Sequence, residues 1–412
     1  MTSAAATIPA SVPLRQDAPV IGLVGLAHMV SHFSQLTLAP LFPWLKDAFG
    51  ASYVELGALM TIFFVVSCAM QAIAGFLVDR HGPRPVLFAG LALLGSALFG
   101  FAASTSYWMM AACAVVAGAG NGVFHPVDYT LINRKVSARR LGHAYSVHGL
   151  TGSLGWALGP ALVVPVAIAT SWRGALVAAG LVAWGVLAVL WFNRQQLDLP
   201  AAPVPAARQQ HAGDGDTFGF LRIPAVWVCF VYFLAYGAVL SAVQAFAPEA
   251  ARQLHGVPVA LSAACLTIYM VCSAGGILVG GFLVSDPARC ERILAGGFGT
   301  AAVFATMVAS LDIPPLAIAP IFGVMGFASG LAGPSRDLIV KRSAPENASG
   351  RVYGIVYSGL DIGQALAPLL FGWLMDHRLY AGVWFGLVAT QLLMIAGAFN
   401  VRRARRTRLV PA

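Results

Sequence analysis

The chain is 412 residues long, 58% hydrophobic and only 10% charged, with a mean hydropathy of +0.78. A soluble surface needs far more charge than this, so a set of soluble domains is excluded. The formal net charge of +9 would suggest nucleic acid in a soluble protein; here the basic residues have to be read against a bilayer instead.

Residues 1–19 are rich in Ala, Pro and Ser and are expected to be disordered, having too few large apolar side chains to bury. Beyond them lie apolar segments long enough to cross a bilayer, which takes about 20 residues. They fall at 20–42, 54–78, 85–104, 107–133, 141–165 and 173–192, then at 224–248, 258–284, 292–311, 314–340, 350–375 and 381–401. The predicted fold class is an all-α membrane protein with twelve transmembrane helices. The first segment has too long an apolar run, and lacks the small-residue cleavage site, of a removable signal.

That first span is unusually polar. His28, His32 and Gln35 recur at i, i+4 and i+7 and so share one helical face, which must point into protein or water. The two histidines have metal-ligand spacing, but the sequence offers no convincing third ligand, so no metal is expected. The second span closes with GFLVDRHGPRP, Gly75 to Pro85, and GFLV returns at Gly281 to Val284.

Spans four and five carry the longest repeat. Gly118 to Pro160 matches Gly326 to Pro368 at a single offset of 208 residues, which aligns Gly122 with Gly330, Pro126 with Pro334, Gly155 with Gly363 and Pro160 with Pro368. Proline lacks an amide hydrogen and its ring displaces the carbonyl four residues earlier. Pro126 and Pro334 therefore free the carbonyls of Gly122 and Gly330, either as ordinary kinks or as backbone aimed at a cavity. Gly155 and Gly159 form a small-xxx-small step of the kind that lets helices approach closely. His125 and His148 lie at similar depth on spans four and five. With His28 and His32 they form a candidate proton-handling group, since histidine titrates near neutral pH; the alternative for each is a hydrogen bond to a neighbouring carbonyl. Asp128 and Arg336 occupy equivalent positions in the repeat and are expected at a cytoplasmic gate, or Arg336 attracts an anionic substrate. Asp361 lies in the middle of span eleven, where an ionisable residue reads as a substrate or proton site, and Tyr357 is a further polar position on that span.

Residues 193–222 form the only long polar stretch and read as a flexible linker between a bundle at 20–192 and a second at 223–401. Each half has an even number of spans, so the two are parallel and related by an axis along the membrane normal. All but five of the 25 Lys and Arg then fall on one face; the exceptions are Lys46, Arg173, Arg252, Arg378 and the intraspan Arg336. By the positive-inside rule that face is cytoplasmic and holds both termini. The basic tail, 402–412, is expected to meet anionic headgroups and not nucleic acid. No CxxC pair occurs, so neither disulfides nor a zinc site is expected.

Twelve spans as six plus six, with GFLVDRHGPR between spans two and three, resemble the major facilitator superfamily. Gly75, Leu77, Asp79, Arg80, Gly82 and Arg84 match its signature, and Pro83 replaces a usual basic residue. VFHP followed by RLGHAYSVHGLTGSLGWALGP further resembles the fosmidomycin-resistance-like efflux branch. Gly155, Gly159 and Pro160 fit part of the antiporter motif, whereas Val163 and Val164 stand where paired glycines are usual and Ala114 where span four usually has an arginine. The resemblance implies two pseudo-symmetric six-helix bundles rocking around a central cavity. It also implies that Asp79, with Arg80, Arg84 and Arg351, gates the cytoplasmic side by holding the start of span eleven. The function it implies is proton-driven efflux of a small organic compound from a bacterial inner membrane, with proton-coupled import of a metabolite such as an organic acid as the alternative. The expected partners are the solute and the lipid bilayer, the expected state is a monomer, and no cofactor is expected beyond the proton gradient. An enzyme would need a compact nucleophile or metal constellation, and a receptor a soluble output domain; the sequence presents neither.

Overall fold

The computed structural model describes residues 14–137, 140–199, 224–283, 289–343 and 349–406; the side chains of 14–16, 142, 225, 337–343, 349–357 and 400–406 lie outside the described set. Among the described residues the regular structure is entirely helical. In the first half the helices are α1 (Leu14–Gln35), α2 (Phe42–Phe49), α3 (Tyr53–His81), α4 (Pro83–Ala103), α5 (Tyr107–Asn121), α6 (Phe124–Lys135), α7 (Leu141–Ala169) and α8 (Trp172–Phe192). In the second they are α9 (Pro224–Ala245), α10 (Ala247–His255), α11 (Val259–Leu283), α12 (Cys290–Ser310), α13 (Pro315–Ser343), α14 (Ser349–Asp376) and α15 (Tyr380–Arg406). Among the described residues eleven stretches are long and apolar enough to cross a membrane, and α14 occupies the place of the remaining span.

Local chemistry sets the helix ends. Ser52 and Glu55 form a reciprocal capping box at the start of α3, which satisfies two amides that would otherwise lack partners. Gly82, at φ +81°, turns the chain between α3 and α4, and Pro83 follows as the first residue of α4. Its missing N–H costs nothing there, which explains how the signature tolerates proline at that point. α1 begins at Leu14, inside the segment read as disordered: Asp17 is buried and accepts hydrogen bonds from Ser137 Oγ at 2.6 Å and Arg140 Nη1 at 2.9 Å.

Two expected spans are not single helices. The first ends at Gln35 and resumes as α2 after a 3-10 turn at Ala39–Leu41, where Pro40 and Pro43 interrupt the backbone ladder. The fourth breaks at Gly122 and Val123, so that α5 and α6 meet four residues before the proline at Pro126. The equivalent Pro334 causes no such break, since α13 runs through it.

Packing repeats in the same way in both halves. α1 lies on α7, α3 on α5 and α4 on α8; α9 lies on α14, α11 on α13 and α12 on α15. The matched glycines make these contacts. A methyl group at Gly155 would collide with the Met29 carbonyl on α1, and one at Gly363 with the Leu234 carbonyl on α9. Across the halves, α3 meets α14 and α7 meets α11, so the two bundles touch along two lines related by the pseudo-two-fold axis.

A histidine cluster beside the inter-bundle cleft

The break before α6 places His125 and Asp128 one turn apart on a short helix facing α1 and α7. His28 and His32 come from successive turns of α1. On α7, His148, Gly152 and Trp156 fall at i, i+4 and i+8, on a single face. The four imidazoles converge. Ring centroids are 3.6 Å apart for His28 and His148, 4.4 Å for His28 and His32, and 5.3 Å for His28 and His125. Asp128 is fully buried, and its Oδ2 lies 3.0 Å from His148 Nε2 and 3.2 Å from His28 Nδ1. His125 Nδ1 is 3.1 Å from Gln71 Oε1 on α3.

A second polar layer adjoins the cluster. Trp156 stacks on His32 at 4.3 Å and donates its indole N–H to Gln35 Oε1 at 2.9 Å. Asn121, the last residue of α5, accepts from Ser31 Oγ at 2.7 Å and donates to Ser67 Oγ at 2.8 Å. The sequence reading placed His28, His32, Gln35, His125 and His148 together, as the structure does. It missed Gln71, Asn121 and Trp156. The signal for Asn121 was a lone amide in the apolar run GAGNG, which lipid would not tolerate without partners.

Trp156 also lines a narrow cleft between the halves, with Ser153 from α7, Tyr236 from α9, Tyr269 and Ser273 from α11, and Ser329 from α13. The Arg336 guanidinium lies 4.4 Å from the centre of the Tyr236 ring and 5.5 Å from that of Phe233. Asp128 and Arg336, grouped at one gate from their equivalence in the repeat, therefore have different settings: the carboxylate is enclosed by histidines inside the first half, and the guanidinium packs on aromatics of α9.

The α3–α14 line is closed at the end away from the basic face. Asp376 accepts from the Tyr53 and Val54 amides at 2.7 and 2.9 Å, capping α3 from the other half. Tyr53 donates its hydroxyl to Glu249 at 3.1 Å, and Thr61 donates to the Ala365 carbonyl at 2.6 Å. A methyl group at Gly57 would stand 2.7 Å from the Pro368 carbonyl. Deeper in the membrane, Asp361 meets the Cys68 thiol across the same line. None of Tyr53, Glu249 and Asp376 was singled out from sequence, because a polar residue at a span end reads as interfacial anchoring.

At the basic face, Asp79 and Arg80 are exposed at the end of α3, and Arg84 pairs with Asp198 at the start of the linker. The side chains of Arg351 and Tyr357 lie outside the described residues. Of the framework glycines and prolines, Gly122 faces the Ser67 carbonyl, Gly159 the Leu36 carbonyl and Gly330 the Ser273 carbonyl; Pro160 and Pro368 lie within unbroken helices.

Two parallel repeats of six spans, meeting along two helix pairs around a cleft, define a membrane transport protein. The sequence profile described as Major Facilitator Superfamily matches residues 24–368 and 267–411, and the chain belongs to that family. It is 29% identical over 171 residues to the fosmidomycin resistance protein of Escherichia coli K12, a match covering 42% of this chain and 40% of that relative. It is 23% identical over 386 residues to a probable sulfoacetate transporter of Cupriavidus necator, SauU, covering 87% of each. The fold superposes on the inward-facing, occupied crystal structure of a bacterial homologue of the human lysosomal transporter Spinster, with a TM-score of 0.76 at 14% identity, over 96% of this chain and 98% of that one.

Proposed function

We propose that the protein exports a small organic solute, drug-like and anionic where Arg336 attracts it, across a bacterial inner membrane in exchange for protons. The basic face is then cytoplasmic by the positive-inside rule, and the closed α3–α14 end faces outward. The observation that supports alternating access is the closure away from the basic face: Asp376, Thr61 and Gly57 join the halves on one side of Asp361, while the Trp156–Tyr236–Tyr269 cleft lies between the halves. Asp361 is the proposed coupling group. It is a carboxylate at membrane depth on the line where the halves separate, so its exposure changes as they rock. Aromatic and hydroxyl side chains around the cleft suit an organic solute, and the positive charge of Arg336 beside Tyr236 attracts an anion.

The longer match to a protein named as a probable sulfoacetate transporter favours a second reading, proton-coupled uptake of an organic acid. Transport in proteoliposomes under an imposed pH gradient separates the two, using phosphonates, organic acids and lipophilic drugs. Drug movement against the proton flow supports export, acid movement with it supports import, and no gradient-dependent flux of any of them removes proton coupling.

A further inference from the structure

We infer that His28, His32 and His125 form a site for a divalent transition-metal ion of the zinc and cobalt class within the first half. Their ligand nitrogens lie within 4.8 Å of one another. Three imidazoles are a donor set that such ions take, with a fourth position left for water or an oxygen donor.

The surroundings orient these rings as metal ligands are oriented. Asp128 Oδ2 lies 3.2 Å from His28 Nδ1, a contact that is not aligned as a hydrogen bond but sets the carboxylate on the Nδ1 side of the ring and leaves Nε2 to face an ion. Gln71 Oε1 lies 3.1 Å from His125 Nδ1; when that nitrogen donates to it, Nε2 keeps its lone pair. His32 is fixed by its stack on Trp156, and its Nδ1 is buried with no hydrogen-bond partner among the described residues. Gly152 keeps the space between the rings open, since a methyl group there would stand 2.9 Å from both His28 Nε2 and His32 Nδ1.

Charge supports the same assignment. Asp128 is fully buried, and a cation held one imidazole away would favour its ionised form. A second group, His28, Asp128 and His148, also converges within 4.8 Å, but there Asp128 Oδ2 already takes the His148 Nε2 hydrogen bond. His148 therefore positions the carboxylate, and the three-histidine set holds the ion.

The test uses the full-length, tag-free protein in detergent, stripped with a chelator and titrated with Co²⁺. Visible d–d absorption and calorimetry read the binding, and Zn²⁺ serves as competitor. The expected result is one saturable equivalent with a four-coordinate cobalt spectrum, displaced by Zn²⁺. H32A and H125A should each weaken binding at least tenfold, and D128N by about 10–100-fold, the usual range for a residue that orients a ligand. G152A keeps every ligand and should weaken binding by obstruction alone. No saturable cobalt signal in the unaltered protein overturns the proposal whatever the variants do, and so does saturable binding that H32A, H125A and G152A all leave unchanged.

Discussion

Single side chains set the chemistry of the two sites. Asp361 meets Cys68 where the halves meet, so D361N should keep the packing and remove the exchangeable proton. Gradient-driven transport is expected to fall at least tenfold in D361N proteoliposomes while solute exchange without a gradient persists; equal loss of both would assign Asp361 to solute binding. Trp156 joins the cluster to the cleft through its stack on His32 and its bond to Gln35. W156F keeps the stack and loses the bond, so a loss of about 0.5–1.5 kcal/mol is expected, measurable as a lowered Tm in detergent. The histidines were legible in the sequence as polar positions at lipid depth, but their partners were not. Gln71, Asn121 and Trp156 are ordinary residues locally, and only proximity across α1, α3, α5 and α7 gives them a part.

Helices carry these residues, and their ends carry the closure. Asp376 on α14 caps α3 from the opposite half. Loss of an N-cap costs about 0.5–2 kcal/mol, so D376A should shift the closed end towards opening by about 2- to 30-fold, since each 1.4 kcal/mol is about tenfold. Thiol labelling of T61C from the outer side reads the shift, and an unchanged rate would remove Asp376 from the closure. G155L tests packing instead. Its side chain has no room against the Met29 carbonyl, and loss of monodisperse protein on size-exclusion chromatography is expected. Helix existence was legible from apolar length, and helix continuity was not. Pro126 coincides with a break and Pro334 does not, although sequence made them equivalent, because neighbouring helices decide whether a freed carbonyl ends a helix.

At the scale of the whole molecule, the proposed transport requires the two bundles to move against each other, and the α3–α14 line is where that motion can be stopped. T61C with A365C places two thiols where the native side chain already reaches the facing backbone. Oxidation should arrest transport and a reductant restore it; full transport by the cross-linked protein would contradict separation of the halves along this line. The sequence by itself determined the membrane class, the number of spans, the internal repeat and the family resemblance, because apolar length, basic-residue bias and a fixed offset survive without coordinates. The tertiary structure decided what meets what. It separated Asp128 from Arg336, brought His125 and His148 beside the His28 and His32 pair, and placed Asp376 on α3. Those contacts join residues up to 323 positions apart, and no local periodicity records a distance of that kind.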